Sequence, residues 1–259
     1  MIPLLLLILA QDLSQQGAQA MRENRYGDAV RAYRELVQQD PQTPQWRMNL
    51  GLALHSAGDA AGAVTAMQQY VKAMPAPAPA HWILGVNQLK LGQACAAADS
   101  LTAARRWRAT PEITHALADA LSACKRYPEA AIHYTALGRH RDAARAHWQA
   151  GEYSKARPLY ARLATGTDPA LHYEYGDTLL RIDTAAAALP HLEKAREIPA
   201  ARAALAKAYI ALERWSDAVP LLEEAARQDR TQWLPLSRAY QALGRTEDAA
   251  RALADFKNR

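Results

Sequence analysis

Apolar positions along the chain fall at the three-and-four spacing of one-sided helices, and the spacing itself repeats. Eight alanines mark the repeat: Ala29, Ala63, Ala97, Ala130, Ala156, Ala188, Ala218 and Ala249. Twelve residues before each stands a small residue: Gly17, Gly51, Gly85, Ala118, Ala144, Gly176, Ala206 and Ser237. Larger apolar residues fill the rest of the stripe. Leu50, Leu84, Leu117, Tyr175, Leu205 and Leu236 come one residue before the small positions. Tyr33, Met67, Leu101, Tyr134, Tyr160, Leu192, Leu222 and Leu253 come four after the alanines. This pattern keeps one face of each helix apolar. Two helices cross closely only where the contacting side chains are small. The first three alanine pairs recur at a spacing of 34 residues, which predicts stacked helical hairpins rather than a single globular core.

The punctuation agrees. Gly27, Gly58, Gly92, Gly151 and Gly244 are read as lying in or beside the hairpin turns, where glycine ends a helix cheaply. Pro41, Pro75, Pro111 and Pro169 fall between repeats, where a helix must stop. Pro158, Pro190 and Pro220 follow marking alanines by two residues and are placed close to the start of second helices. Alanine-to-alanine spacing runs 34, 34, 33, 26, 32, 30 and 31. The short step, Ala130 to Ala156, predicts a shortened hairpin with a first helix near Arg141 to Ala150. It reads either as a tighter stack with a local change in curvature or as a functional kink.

These residues resemble the tetratricopeptide repeat family. The segment Gln45–Pro75 carries its leucine–glycine, turn-glycine, alanine and proline pattern. Leu205–Ala225 places Tyr209, Trp215 and Ala218 where the family puts aromatics and alanine. The resemblance covers nearly the whole chain, from about Ala10 to Phe256. It implies an all-α, right-handed superhelical solenoid of about eight helix-turn-helix repeats, at approximately 10–43, 44–77, 78–110, 111–136, 137–168, 169–198, 199–229 and 230–259. The family often ends in a polar cap helix, as solenoid ends require. Here the last residues, with Leu253 and Phe256, are expected to be half covered, an end able to recruit a partner or a second copy.

Composition changes this picture little. A single phenylalanine and abundant alanine predict burial spread over the hairpin interfaces rather than a large aromatic core. The net charge is +5, with both signs interspersed as in Arg22-Glu23-Asn24-Arg25. That reads as solvated helical surface. A nucleic-acid face needs basic residues gathered with stacking aromatics, and no nucleic-acid partner is expected. The N-terminus adds more. Met1–Ala10 is a continuous apolar run, far too short to span a bilayer. It resembles the core and small-residue end of a secretory signal, without the usual preceding basic residue. Residues 1–10 are therefore expected to be a signal peptide cleaved near Ala10, leaving an exported, periplasmic or secreted protein with no integral membrane span. An uncleaved anchor and a cytoplasmic chain are the alternatives. In an oxidising compartment Cys95 and Cys124, placed at one edge of neighbouring hairpins, are candidates for a disulfide.

Catalytic signatures are absent from the sequence: it contains no HExxH, GxxxxGK[ST], CxxC or GxSxG. His140-Arg141-Asp142 matches a kinase catalytic loop only superficially, since His147 stands where that loop needs asparagine. His133, His140 and His147 are spaced by seven, but Gly138 interrupts the helix between them. No catalytic residue, metal or cofactor is expected.

In the family, first helices line a concave surface that holds peptides. The resemblance places there the residues three before, one after and four after each small position. These include Met48, Leu52 and His55; Trp82, Val86 and Leu89; His115, Asp119 and Ser122; Arg141, Arg145 and Trp148; and Tyr173, Asp177 and Leu180. Lys207, Ile210, Leu234, Arg238 and Gln241 complete them. Of the family's carboxylate-clamp set only Asn49 matches, so that clamp is not expected. Trp82 and Trp148 are the candidate anchors, and Arg141, Arg145, Lys207 and Arg238 favour an acidic partner segment. The implied function is a non-catalytic scaffold or adaptor of a bacterial-type cell envelope. The alternative is a targeting or assembly subunit of a larger enzyme or secretion complex.

Overall fold

The computed structural model describes residues 4–74 and 78–258. Among the described residues there are sixteen α-helices, one short 3-10 turn and no strand. The chain divides into two compact units, Met1–Gly138 and Arg139–Arg259. The first holds α1 (Leu4–Arg22), α2 (Tyr26–Gln39), α3 (Pro44–Ser56), α4 (Ala60–Ala73), α5 (Ala78–Lys90), α6 (Ala94–Trp107), α7 (Pro111–Ala123) and α8 (Tyr127–Ala136). The second holds α9 (His140–Gln149), α10 (Tyr153–Leu163), α11 (Pro169–Ile182), α12 (Ala185–Lys194), α13 (Pro199–Ala211), α14 (Trp215–Ala226), α15 (Trp233–Ala242) and α16 (Thr246–Asn258). Within each unit every helix packs on the next, and first helices of adjacent hairpins also touch, α3 on α5 and α11 on α13.

The small-residue rule has a direct steric cause. A Cβ added at Gly17 would lie 2.8 Å from the Tyr33 ring, at Gly51 2.8 Å from Met67, at Gly85 2.6 Å from Leu101 and at Gly176 2.7 Å from Leu192. Each clashing partner is the residue four after the marking alanine. All eight alanines are buried, at 3% exposure or less. At the last hairpin Ser237 occupies the small position, and its Oγ donates to the Ala249 carbonyl at 2.8 Å. The core is thus a chain of crossings, each shared with its neighbours, as expected where stability is a sum of nearest-neighbour terms.

Seven hairpin turns share one hydrogen-bonded form. A residue at positive φ ends the first helix, and the next N–H reaches back over the last turn, as in Asp59 N–H to Leu54 O (2.9 Å) and Glu152 N–H to His147 O (2.9 Å). Gly58, Gly92, Gly151 and Gly244 take the left-handed position as expected, but Gly27 does not. It lies inside α2, and Asn24 (φ 58°) occupies the turn position instead. Lys125 (φ 62°) and Glu213 (φ 55°) do the same in two further hairpins. Pro75 lies outside the described residues.

The three later prolines also sit differently from expectation. Pro158, Pro190 and Pro220 are each the sixth residue of their helix, inside the ladder rather than in the first turn. All three are exposed. The carbonyl left without its N–H therefore lies on the solvent side of the helix, where water can take it.

At the short step, α9 starts at His140 and ends at Gln149. Gly138 before it has φ 70°, the backbone of a hairpin turn rather than of a linker between repeats. Ala143, buried like the marking alanines, stands midway between Ala130 and Ala156. The linker before α9, Leu137–Arg139, is as long as Arg108–Thr110 before α7; the step is short because α8 and α9 have 10 residues each where α6 and α7 have 14 and 13. At the N-terminus α1 extends back to Leu4, so residues 4–10 continue the first repeat helix instead of preceding it. The leucines and alanine of this stretch favour helix. Residues 1–3 of the apolar run lie outside the described residues. Leu253 and Phe256 are half-buried, and Arg230 holds the last helix through Phe256 O at 2.8 Å.

Candidate partner-binding groove

In the first unit the helix register brings Trp82, Val86 and Leu89 on α5 together with His115 and Asp119 on α7. With Lys90, Pro111, Glu112, Ala116 and Leu137 they line an open cavity of about 640 Å³. Its α5 wall is apolar apart from Lys90 at its end. The α7 wall is polar: His115 Nδ1 lies 3.3 Å from Asp119 Oδ2, and Tyr134 OH donates to Asp119 Oδ1 at 3.0 Å. Both side chains of the His115–Asp119 pair remain about half exposed, at 53% and 45%. Behind this wall Asn87 is fully buried. Its Nδ2 donates to Ile83 O at 2.7 Å and meets His55 Nδ1 at 2.9 Å, tying α5 to α3. Asn49 bonds only along its own helix, accepting from Gln45 Nε2 at 3.0 Å.

The same register in the second unit is filled differently. Arg141 pairs with Asp168 at 2.7 Å and Arg145 with Glu174 at 2.7 Å. Glu174 also accepts from Tyr160 OH at 3.0 Å. Burial, reinforced by the Glu174 charge, pushes the Tyr160 hydroxyl far above its usual pKa, so Tyr160 stays a donor. Trp148 Nε1 donates to Asp177 at 2.7 Å, and Arg181 bonds the same oxygen at 2.8 Å. Tyr173 meets Trp148 edge-on, with ring centroids 6.1 Å apart. Glu174 and Asp177 are both buried.

Of the expected groove residues, then, Trp82, His115 and Asp119 share one cavity. Arg141, Arg145, Trp148 and Tyr173 are engaged within the second unit. The charges of Arg141 and Arg145 and the Trp148 indole N–H are already met by Asp168, Glu174 and Asp177, which weakens the pull of the two arginines on an acidic ligand. Lys207 and Arg238 are exposed and form no ion pair among the described residues. Cys95 and Cys124 form a disulfide joining the start of α6 to the end of α7, with Cα atoms 4.9 Å apart.

Sequence reasoning missed one cluster. Arg105-Arg106-Trp107-Arg108 gathers three cations around an aromatic residue, and all four side chains are exposed. The signal was present as a run, but it was hidden among the interspersed charges counted along the chain. Among the described residues no group of His, Cys, Asp or Glu is arranged to hold a metal ion, and no helix is long and apolar enough to cross a membrane.

Tetratricopeptide repeat models match residues 15–80, 141–203 and 201–232. No curated protein matches the chain. Among solved structures it is similar to Naa15/Naa10 bound to HypK-THB, with TM-score 0.60 and 14% identity over 90% of this chain and 39% of that one. It therefore spans about two-fifths of that protein's length. It also aligns with a tetratricopeptide repeat protein from Parabacteroides merdae ATCC 43184 (TM-score 0.48, 12% identity, 89% of this chain and 98% of that one). The TPR2AB domain of yeast Sti1 in complex with pHSP90 aligns at TM-score 0.42 and 16% identity, over 96% of this chain and 98% of that one. The repeated hairpins, their small-residue crossings and the family matches make this chain a member of the tetratricopeptide repeat family, an all-α repeat solenoid and a scaffold for protein–protein interaction.

Proposed function

We propose that the chain is a non-catalytic adaptor of the cell envelope that holds a segment of a partner protein in the groove of its first unit. The observation that carries this reading is the cavity between α5 and α7. It sets the half-buried Trp82, Val86 and Leu89 opposite the His115–Asp119 pair. An aromatic anchor beside a few convergent polar groups suits an extended or helical segment, because aromatic side chains bury much area at small entropic cost. A basic or hydroxyl-bearing group of the ligand fits Asp119 and Glu112, which line the same wall. An acidic stretch fits Lys207 and Arg238 in the second unit. The apolar run at residues 1–10 and the Cys95–Cys124 disulfide support an oxidising, exported setting.

The test starts with affinity capture and cross-linking from an envelope fraction, followed by binding measurements with the captured partner. Trp82→Ala should weaken binding, while Lys155→Glu on α10 leaves it unchanged. Equal loss in both variants would remove the groove from the interface. N-terminal sequencing of the mature protein tests export, and an intact Met1 on a cytoplasmic chain would refute it.

A further inference from the structure

We propose that His172 on α11 and His191 on α12 form an acid-sensitive latch, closed at neutral pH and opening α12 locally when both imidazoles carry a second proton. The two rings face each other, with Nδ1 to Nδ1 at 3.0 Å and ring centroids 5.2 Å apart. His172 is 1% exposed, and its Nε2 meets the Gly166 carbonyl at 2.8 Å. A carbonyl only accepts, so Nε2 carries the proton of the neutral ring and Nδ1 keeps its lone pair. His191 therefore donates from its own Nδ1. A first added proton enters at His191 Nε2 and leaves this bond in place. The next has only His172 Nδ1 to enter, where two N–H groups would then face each other, and the bond is lost. His172 Nε2 remains a donor to Gly166 in every state, so the element released is α12 and not the linker before α11.

Among the described residues no carboxylate holds the doubly charged pair. From α11, the Tyr175 ring lies 4.5 Å from that of His191 between centroids. From α10, Tyr160 meets the Tyr175 ring at 6.2 Å and gives its hydroxyl to Glu174. On α12 itself Lys194 adds a like charge, and Glu193 accepts from Tyr209 of α13. Burial first, then His172 and Lys194, lower the His191 pKa. The released element is also a weak one. α12 has ten residues, of which Ala188 and Leu192 are buried. Pro190, beside His191, removes a hydrogen bond from its ladder. Segments with few buried contacts open at a lower free energy than the whole domain. Leu192, next to His191, packs where α12 crosses α11 at Gly176, so the latch sits at the closing point of its hairpin. The inference concerns the second unit alone and stands apart from the groove reading.

The test is hydrogen exchange of the full chain between about pH 7.5 and about pH 5, read by mass spectrometry and corrected for the intrinsic effect of pH on exchange. Protection across α12 should fall on the order of tenfold as pH drops from about 6.5 to about 5, since an opening that takes up one further proton grows up to about tenfold per pH unit. α14 should keep its protection. His191→Gln should remove the response while leaving α12 protected, because an amide N–H donates to His172 Nδ1 without titrating. His140→Gln, at an exposed position, should keep the response. Histidine nitrogen shifts of the unmodified chain, read by NMR above the ordinary histidine pKa of about 6.5, check the bond independently of any variant. His191 should be the Nδ1–H tautomer and His172 the Nε2–H tautomer. The proposal is overturned if α12 stays protected throughout, if α14 loses protection with it, if His191→Gln responds like the unmodified chain, or if either tautomer is reversed.

Discussion

Asp119 and Asp177 hold the same place in their repeats, one residue after the small position of a first helix. Asp119 receives His115 and the Tyr134 hydroxyl, and its side chain stays 45% exposed. Asp177 receives the Trp148 indole and Arg181, and its side chain is 11% exposed. The same register thus gives an accessible polar wall in the first unit and an internally satisfied network in the second. Repeat position tells where a side chain stands, but not whether it is available. Availability depends on the neighbour: α11 supplies Glu174 and Asp177 to α9 and α10, while Trp82, Val86 and Leu89 set an apolar surface beside α7.

The largest expected contrast is in stability. Asp177→Ala strands the Trp148 N–H and frees Arg181, and should cost the second unit about 2–3 kcal/mol, as for a hydrogen bond to a buried charge. Asp119→Ala should cost the first unit below about 1 kcal/mol, because its pairs are solvent-screened. Hydrogen-exchange mass spectrometry under mild denaturant reads the two units separately. Equal losses would erase the distinction between open and satisfied walls.

Binding should reverse the order. Trp82→Ala should weaken the captured partner on the order of 2 kcal/mol with little effect on helix content. Trp148→Ala should act chiefly on the second unit's stability, since its indole N–H is already committed to Asp177. Titration calorimetry alongside thermal unfolding checks both variants. A Trp148 variant that loses binding while keeping its melting temperature would move the groove into the second unit.

Much of the fold was legible because its determinants are local. The clash of a Cβ at Gly85 with Leu101 follows from two helices crossing at a fixed offset, and that offset is visible in sequence. The short step at α9 was visible for the same reason. Gly27 misled because glycine is only one way to reach positive φ: Asn24, Lys125 and Glu213 adopt it under the pull of the hairpin. Pro158, Pro190 and Pro220 misled because the tolerance comes from facing water, which spacing alone does not state. Register alone brought Trp82, His115 and Asp119 to the lining of one cavity. The pairing of Arg141 with Asp168 and of Arg145 with Glu174 was not legible, since both join residues of successive repeats whose charges appear unrelated along the chain.

Acidification should act on both units with the same sign. In the second, burial lowers the pKa of His191, helped by its neighbours His172 and Lys194. In the first, burial and Arg105 lower that of His133 against the opposing Glu129. A lowered histidine pKa means the unfolded chain takes up protons first. Its stabilising contribution is therefore complete above the ordinary histidine value of about 6.5 and declines as pH falls from there toward the folded pKa. His191 also touches His172 Nδ1 to Nδ1 at 3.0 Å, and Tyr175 at 4.5 Å between ring centroids. His191→Gln and His133→Gln should each flatten the pH dependence of its own unit as pH falls below about 6.5. Unfolding midpoints against pH decide this, and a second unit that gains stability on acidification would reverse the sign.

The smallest effect separates the turns. Lys125 and Glu213 hold a left-handed backbone that costs a residue with a Cβ roughly 1 kcal/mol. Glycine relieves that strain but loses more chain entropy on folding, so the two terms partly cancel. Lys125→Gly in the first unit and Glu213→Gly in the second should each raise stability by about 0.5 kcal/mol. Asn24→Gly should change it less, because asparagine tolerates this conformation through its own backbone hydrogen bonding. All three turns share the same reach-back hydrogen bond, with N–H to O distances of 2.8–2.9 Å, so differences among the variants report the side chain rather than the turn. Denaturant midpoints for the three single variants make the measurement. If Asn24→Gly stabilised as much as Glu213→Gly, asparagine would hold no advantage at that turn, and the choice of residue there would be indifferent to backbone strain.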